Sequence, residues 1–173
     1  HSYNNTFVHR GTSFEQALYD ALLMFNQSSI HNALVGGFDE MTPNYFTLLA
    51  KAGYWNKSED GFNEEHPCFA GEVAASFALT DKATPQSLCR IEGIKILYKP
   101  SAETLQETIK HLLVNSEHTF ADIELILTGI NGNSKNDAVY EQMVLPLFDA
   151  KLCHTYKDIF GELFTAPALG LYA

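Results

Sequence analysis

Cysteine is scarce: Cys68, Cys89 and Cys153 are the only three in 173 residues. Three scattered thiols cannot make a disulfide framework, which fits a reducing cytosol, and the chain is expected to be cytoplasmic. Positive charge is short as well, with 11 Lys and Arg against 21 Asp and Glu and a formal charge of −10. Gripping phosphates needs clustered basic side chains, so a nucleic-acid surface is not expected. The longest apolar stretches fall well short of a bilayer, so no membrane span is read. The opening "HSYNNTFVHR" lacks an apolar core followed by a cleavage site, so no signal peptide is read either; a start on His1 suggests that the true start is cut off or processed. There is no low-complexity run, no obvious linker and no repeat of solenoid length.

What is present is a globular composition, 46% hydrophobic, 12% aromatic and 18% charged, long enough for one domain with a sizeable core. Thr6 to Val8 reads as a short strand and Gly11 as a turn. Ser13 opens a helix, with Gln16 three residues on as a capping box. Phe14, Ala17, Leu18, Ala21, Leu22 and Phe25 fall at helical spacing and lay one apolar stripe on a neighbour. "HNALVGGFDE" reads as a short buried strand running into a double glycine suited to close backbone packing, with Asp39 and Glu40 as a solvated strand end or a helix lead-in. "TPNYFTLLAKAGYW" is a helix with Thr42 as N-cap and Pro43 at its first position.

"NKSEDGFNEEHP" is the most loop-like stretch. "CFAGEVAASFALT" reads as a strand of small residues and "LCRIEGIKILYK" as a strand pair or one long strand. The helix over "AETLQETIKHLLVN" gathers Leu105, Ile109, Leu112 and Leu113 on one face. "DIELILTG" is a buried strand that ends in "INGNSKND". Asn136 or Asp137 caps the next helix, which Pro146 interrupts, and a last helix follows Gly161. Strands alternating with helices predict an α/β architecture. In such folds the working loops lie at the carboxyl ends of strands, here "VHRGTS", "GGFDE", "TGINGNSKND" and "FGELFTA".

Four of these segments, in order, resemble the β-ketoacyl synthases of the thiolase fold. "ALVGGFDE" is similar to the strand and double glycine after that family's nucleophile helix, and "AGEVAASFALT" to its "GEGAAALVL" strand. "LTGINGNSKNDAVYEQ" resembles its "NAHGTSTPLNDAVE" loop, with Asn136, Asp137 and Glu141 nearly in register. "YKDIFGELFTAPALG" resembles its "TKSxxGHLLGAAG" segment, with Lys157 and Gly161 keeping their spacing. The resemblance implies a layered α-β-α arrangement with a mixed sheet. It treats residues 1–173 as a single thiolase-like region that lacks the family's first and last segments. A fragment of such a sheet would expose strand edges that a partner or missing chain must cover.

The family condenses an acyl group held on a cysteine with malonyl on a carrier protein, using that cysteine and usually two histidines. Carried over residue by residue, the nucleophile position falls on Gly11, the first histidine on Gly129 and the second on Glu162. A glycine has no nucleophile. The histidines donate hydrogen bonds to the developing enolate, whereas an ionised carboxylate only accepts and repels the negative intermediate. Lys157, five residues before Glu162, is expected to pair with it and keep the shape of the site without its chemistry. Asn131 and Asn133 read either as an oxyanion hole or as polar turn residues. With Thr165 they are the substrate-binding candidates.

Cys153 and His154 are sequence neighbours that point apart, so both read as structural. His66, Pro67 and Cys68 lack a second ligand pair and read as an ordinary loop; no metal and no cofactor is expected. His9 and Arg10 flank the lost nucleophile and read as the mouth of an acyl tunnel or a subunit contact.

The resemblance implies a non-catalytic homologue, like the chain-length-factor subunits that pair with an active ketosynthase in fatty-acid or polyketide-type biosynthesis. That means a homodimer or a heterodimer with an active ketosynthase, with Asn5 to His9 pairing across the interface and the carrier protein docking on the partner. The alternative is an active condensing enzyme or decarboxylase of the same fold, using Glu162 or a nucleophile outside this segment.

Overall fold

The computed structural model describes residues 3–54, 68–148 and 153–173. The architecture among them is mixed α/β, with helices packed around two small sheets. Helix α1 (Ser13–Asn26) buries Phe14, Leu18 and Ala21 on one face, as its apolar spacing predicts. Strand β1 (Asn32–Asp39) pairs antiparallel with β2 (Val73–Thr80), from Asn32 opposite Thr80 to Asp39 opposite Val73. Side chains alternate across this ribbon, so Val35 turns inward while Leu34 and Phe38 face out. The inner face meets α1 and α6 (Ala166–Tyr172) in a cluster of Phe14, Leu18, Ala21, Val35 and Ala168. The double glycine packs closely: a Cβ on Gly37 would stand 3.1 Å from the Thr165 Cβ.

Helix α2 (Pro43–Lys51) starts as its sequence predicts, with the Thr42 side chain accepting from the Tyr45 N–H and Pro43 in the first turn. Its Leu49 and Ala50 pack with Met41, Tyr45, Ala70 and Phe164. Helix α3 (Ala102–Asn115) is capped by Ser101, and its Leu105, Ile109, Leu112 and Leu113 are half-buried. Strand β3 (Ile126–Thr128) pairs parallel with β4 (Cys153–Thr155). Helix α4 (Ser134–Val139) runs into a π-helical turn over Tyr140–Val144 and a 3₁₀ turn over Leu145–Leu147 that holds Pro146, where the helix stops. The short helix α5 (Lys157–Phe160) precedes Gly161, and α6 follows.

Several expectations need correction. Residues 5–9 form no strand and are largely exposed, so no strand stands ready to pair across an interface. Ser13 does not build a capping box: its Oγ accepts from the His9 N–H and donates to the Arg10 carbonyl, and Thr12 holds the cap position while its Oγ1 donates back to the His9 carbonyl and does not cap the helix. Residues 88–99 contain no strand; Ile91 and Ile94 still pack on the main cluster, but no strand among the described residues takes up their backbone. The α4 cap is Asn133, whose side chain accepts from the N–H groups of Lys135 and Asn136, and not Asn136 or Asp137. Asp39 is not a solvated end, because it binds Thr165. "NKSEDGFNEEHP", with His66 and Pro67, lies outside the described residues. Among the described residues no helix is long and apolar enough to cross a membrane.

Candidate functional site

Two loops and one short helix converge beside the parallel pair. The chain leaving β3 passes Gly129 and Ile130 to Asn131, while the chain leaving β4 enters α5 at Lys157. Thr155 ties them together, its Oγ1 donating to the Ile130 carbonyl at 2.8 Å. Glu162 is then fixed by its backbone. Its N–H donates to the Phe69 carbonyl at 2.7 Å, and its carbonyl accepts from the Gly71 N–H at 3.1 Å. Gly161 makes this crossing possible with a φ of 80°, a conformation that side chains disfavour, and a Cβ there would meet Gly71 N and the Phe69 ring at 3.0 Å.

The expected ion pair is present. Lys157 Nζ donates to Glu162 Oε2 at 2.7 Å, with the two side chains only 15% and 14% exposed. Asn131 Nδ2 donates to the same oxygen at 2.5 Å. Asn131 is itself clamped: its N–H donates to Asp137 Oδ1 at 3.1 Å, and its Oδ1 accepts from the Asn133 N–H at 3.0 Å. Asp137 is buried and lies within α4, past the cap position that Asn133 holds. The group borders a cavity of about 220 Å³ lined by Cys68, Asn131, Thr155, Lys157, Asp158 and Glu162 among others.

The positions carried over by resemblance fare differently. Gly11 is exposed on the 3₁₀ turn Arg10–Thr12, with no atom within 4 Å of where its Cβ would be, and it does not line the cavity. Gly129 is buried, and a Cβ on it would meet the Tyr140 hydroxyl at 2.7 Å and the Tyr156 hydroxyl at 3.4 Å. Two tyrosine hydroxyls thus occupy the space a side chain at 129 would need. Thr165 is buried and engaged, its N–H and Oγ1 donating to Asp39 Oδ2 at 2.8 and 2.9 Å. It lines neither this cavity nor the small one beside Tyr45 and Phe164. Asn133 serves as helix cap and, through its N–H, as the donor that holds Asn131. Exposed His154 does not line the cavity with Cys68.

Four participants have no counterpart in the sequence reading: Cys68 as a cavity residue, Glu15, Tyr140 and Tyr156. Burial pushes the Cys68 thiol up to about 12, with the Glu162 charge adding to it, so it stays protonated at neutral pH and is a poor nucleophile. Burial also raises Tyr140, against a hydrogen bond from the Gly129 backbone, and raises Tyr156 strongly, so both act as neutral hydroxyls. Glu15 is raised by burial, which Lys157 opposes, and its Oε2 is buried without a hydrogen-bond partner. The one signal for Glu15 was a carboxylate beside the apolar stripe of α1. Among the described residues no group of three or more His, Cys, Asp or Glu is placed to hold a metal ion.

Chemically, the site offers a paired carboxylate, a held carboxamide, a lysine and a protonated thiol around one small cavity. No protein-family model matches the chain, and no curated protein matches it.

Proposed function

We propose that the chain is a non-catalytic relative of the β-ketoacyl synthases. In this reading it is thiolase-like in arrangement and serves as a chain-length-factor-like partner of an active ketosynthase in fatty-acid or polyketide-type biosynthesis. It works in the cytoplasm, as a homodimer or as a heterodimer with that enzyme, which presents the docking face for the acyl carrier protein. One observation carries the reading: the Glu162 carboxylate accepts from both Lys157 and Asn131. A carboxylate held this way cannot donate to an enolate oxygen and repels malonate. The exposed Gly11 supplies no nucleophile, and the Cys68 thiol is held protonated.

The test incubates the purified chain with radiolabelled acyl- and malonyl-carrier protein, alone and with the complete ketosynthase of the same cell. The expected outcome is no covalent label and no released carbon dioxide from the chain alone, together with co-elution with the ketosynthase. Carbon dioxide release that disappears in Glu162→Gln, or acylation of this chain, would replace the reading with an active condensing enzyme or decarboxylase. Cys68, in the same cavity as Glu162, is the residue to map first in that event.

A further inference from the structure

The Lys157–Glu162–Asn131 arrangement can do more than hold its shape. One carboxylate oxygen, Glu162 Oε2, accepts from an amine at 2.7 Å and from a carboxamide at 2.5 Å. The two nitrogens are therefore no further apart than two hydrogen bonds laid end to end. The amide carbonyl of Asn131 is polarised on its other side, because Oδ1 accepts from the Asn133 backbone N–H at 3.0 Å. An amine nucleophile, a shared base and acid, a leaving nitrogen and an oxyanion donor thus meet in one mostly buried place.

We infer that this site closes an intramolecular isopeptide bond between Lys157 Nζ and Asn131 Cγ, with Glu162 as the proton carrier. Glu162, in hydrogen-bond contact with Nζ at 2.7 Å, takes a proton from the lysine ammonium and leaves a neutral amine. The amine attacks Cγ, and negative charge develops on Oδ1, where the Asn133 N–H receives it. Glu162 hands its proton to Nδ2, which the carboxylate already touches, then takes the second proton from Nζ and passes it on in the same way. The Nδ2–Cγ bond breaks as the Nζ–Cγ bond becomes permanent. The lysine keeps one hydrogen as the new amide N–H, and the positive charge it carried leaves with the old amide nitrogen as ammonium. Glu162 ends as a carboxylate, and no oxidant or co-reactant is needed. The bond does not require the partner role proposed above; where it forms it consumes both donors that hold Glu162, and the missing nucleophile at Gly11 is unaffected.

The experiment is intact-mass spectrometry of the purified chain under denaturing conditions, followed by peptide mapping. Most molecules should be lighter than the sequence mass by one ammonia, with a branched peptide joining the segments that contain Asn131 and Lys157. Lys157→Arg and Glu162→Gln should both restore the full sequence mass. Asn131 precedes Gly132, so a succinimide formed by attack of the Gly132 nitrogen would lose the same ammonia. That species would persist in Lys157→Arg and give no branched peptide, and finding it would overturn the proposal. The full sequence mass with separate, unmodified Asn131 and Lys157 peptides in the wild type would do the same. Because the primary readout is the unaltered protein, a variant that fails to fold does not rescue the idea.

Discussion

At Lys157 and Glu162 two opposite charges have left most of their water behind, and each keeps the other tolerable. Removing one partner leaves the other uncompensated in a poorly hydrated place, which is more costly than never having had the pair. Lys157→Met should therefore lower the unfolding free energy by about 2–4 kcal/mol relative to wild-type molecules of full sequence mass, in which the ion pair is intact, read from the denaturant midpoint. No loss would mean that Glu162 relaxes to solvent. Glu15 makes a prediction of the opposite sign. Burial raises its carboxyl above the ordinary value of 4.5. A carboxyl raised in the folded state contributes stability that is fully present below its unfolded value and is lost as pH rises through its folded one. Glu15→Gln should then stabilise the protein at neutral pH and change little well below 4.5, so that urea titrations at the two pH values diverge. Equal shifts at both would show that Glu15 does not change charge across this range.

Among the elements, the contact between Asp39 at the end of β1 and Thr165 before α6 joins parts of the chain 126 residues apart. Asp39→Ala would strand the hydroxyl and N–H of Thr165, which is 7% exposed, at a cost of about 1–3 kcal/mol. Amide exchange at Thr165 should accelerate along with the drop in midpoint, while Asp39→Asn, which keeps one acceptor, should lose less. This contact also marks where sequence reading stops working. Helices α1, α2 and α3 were legible because apolar spacing and the Thr42 cap act within a few residues. The segment 88–99 was not, because a strand needs a neighbour and β-rich composition supplies none. Asn133 displaced Asp137 as cap because the helix starts at Ser134, which puts Asp137 inside it, where it accepts from the Asn131 N–H six residues back. In the site, Lys157 and Glu162 were legible as a pair five residues apart. The Asn131 bond to Glu162 spans 31 residues, and Tyr140 and Tyr156 fill the space beside Gly129 through folding alone, so local pattern carried no trace of them.

For the molecule as a whole, the outer face of the β1–β2 ribbon is an apolar surface left open among the described residues. Leu34 is 77% and Phe38 78% exposed there, beside Ala74 and Ala78 on the paired strand. Side chains this exposed contribute little to folding, so the double substitution Leu34→Ser with Phe38→Ser should shift stability by less than about 0.5 kcal/mol. It should reduce concentration-dependent association in sedimentation velocity, since an uncharged apolar ribbon face favours sticking to like surfaces. A large stability loss would instead place both side chains in the folded core. Living cells patrol for such bare greasy ribbons: chaperones grip them and proteases follow. The standing amount of this protein should therefore rise and fall with the supply of whatever shelters that face, and molecules made in excess should be the first to be cleared.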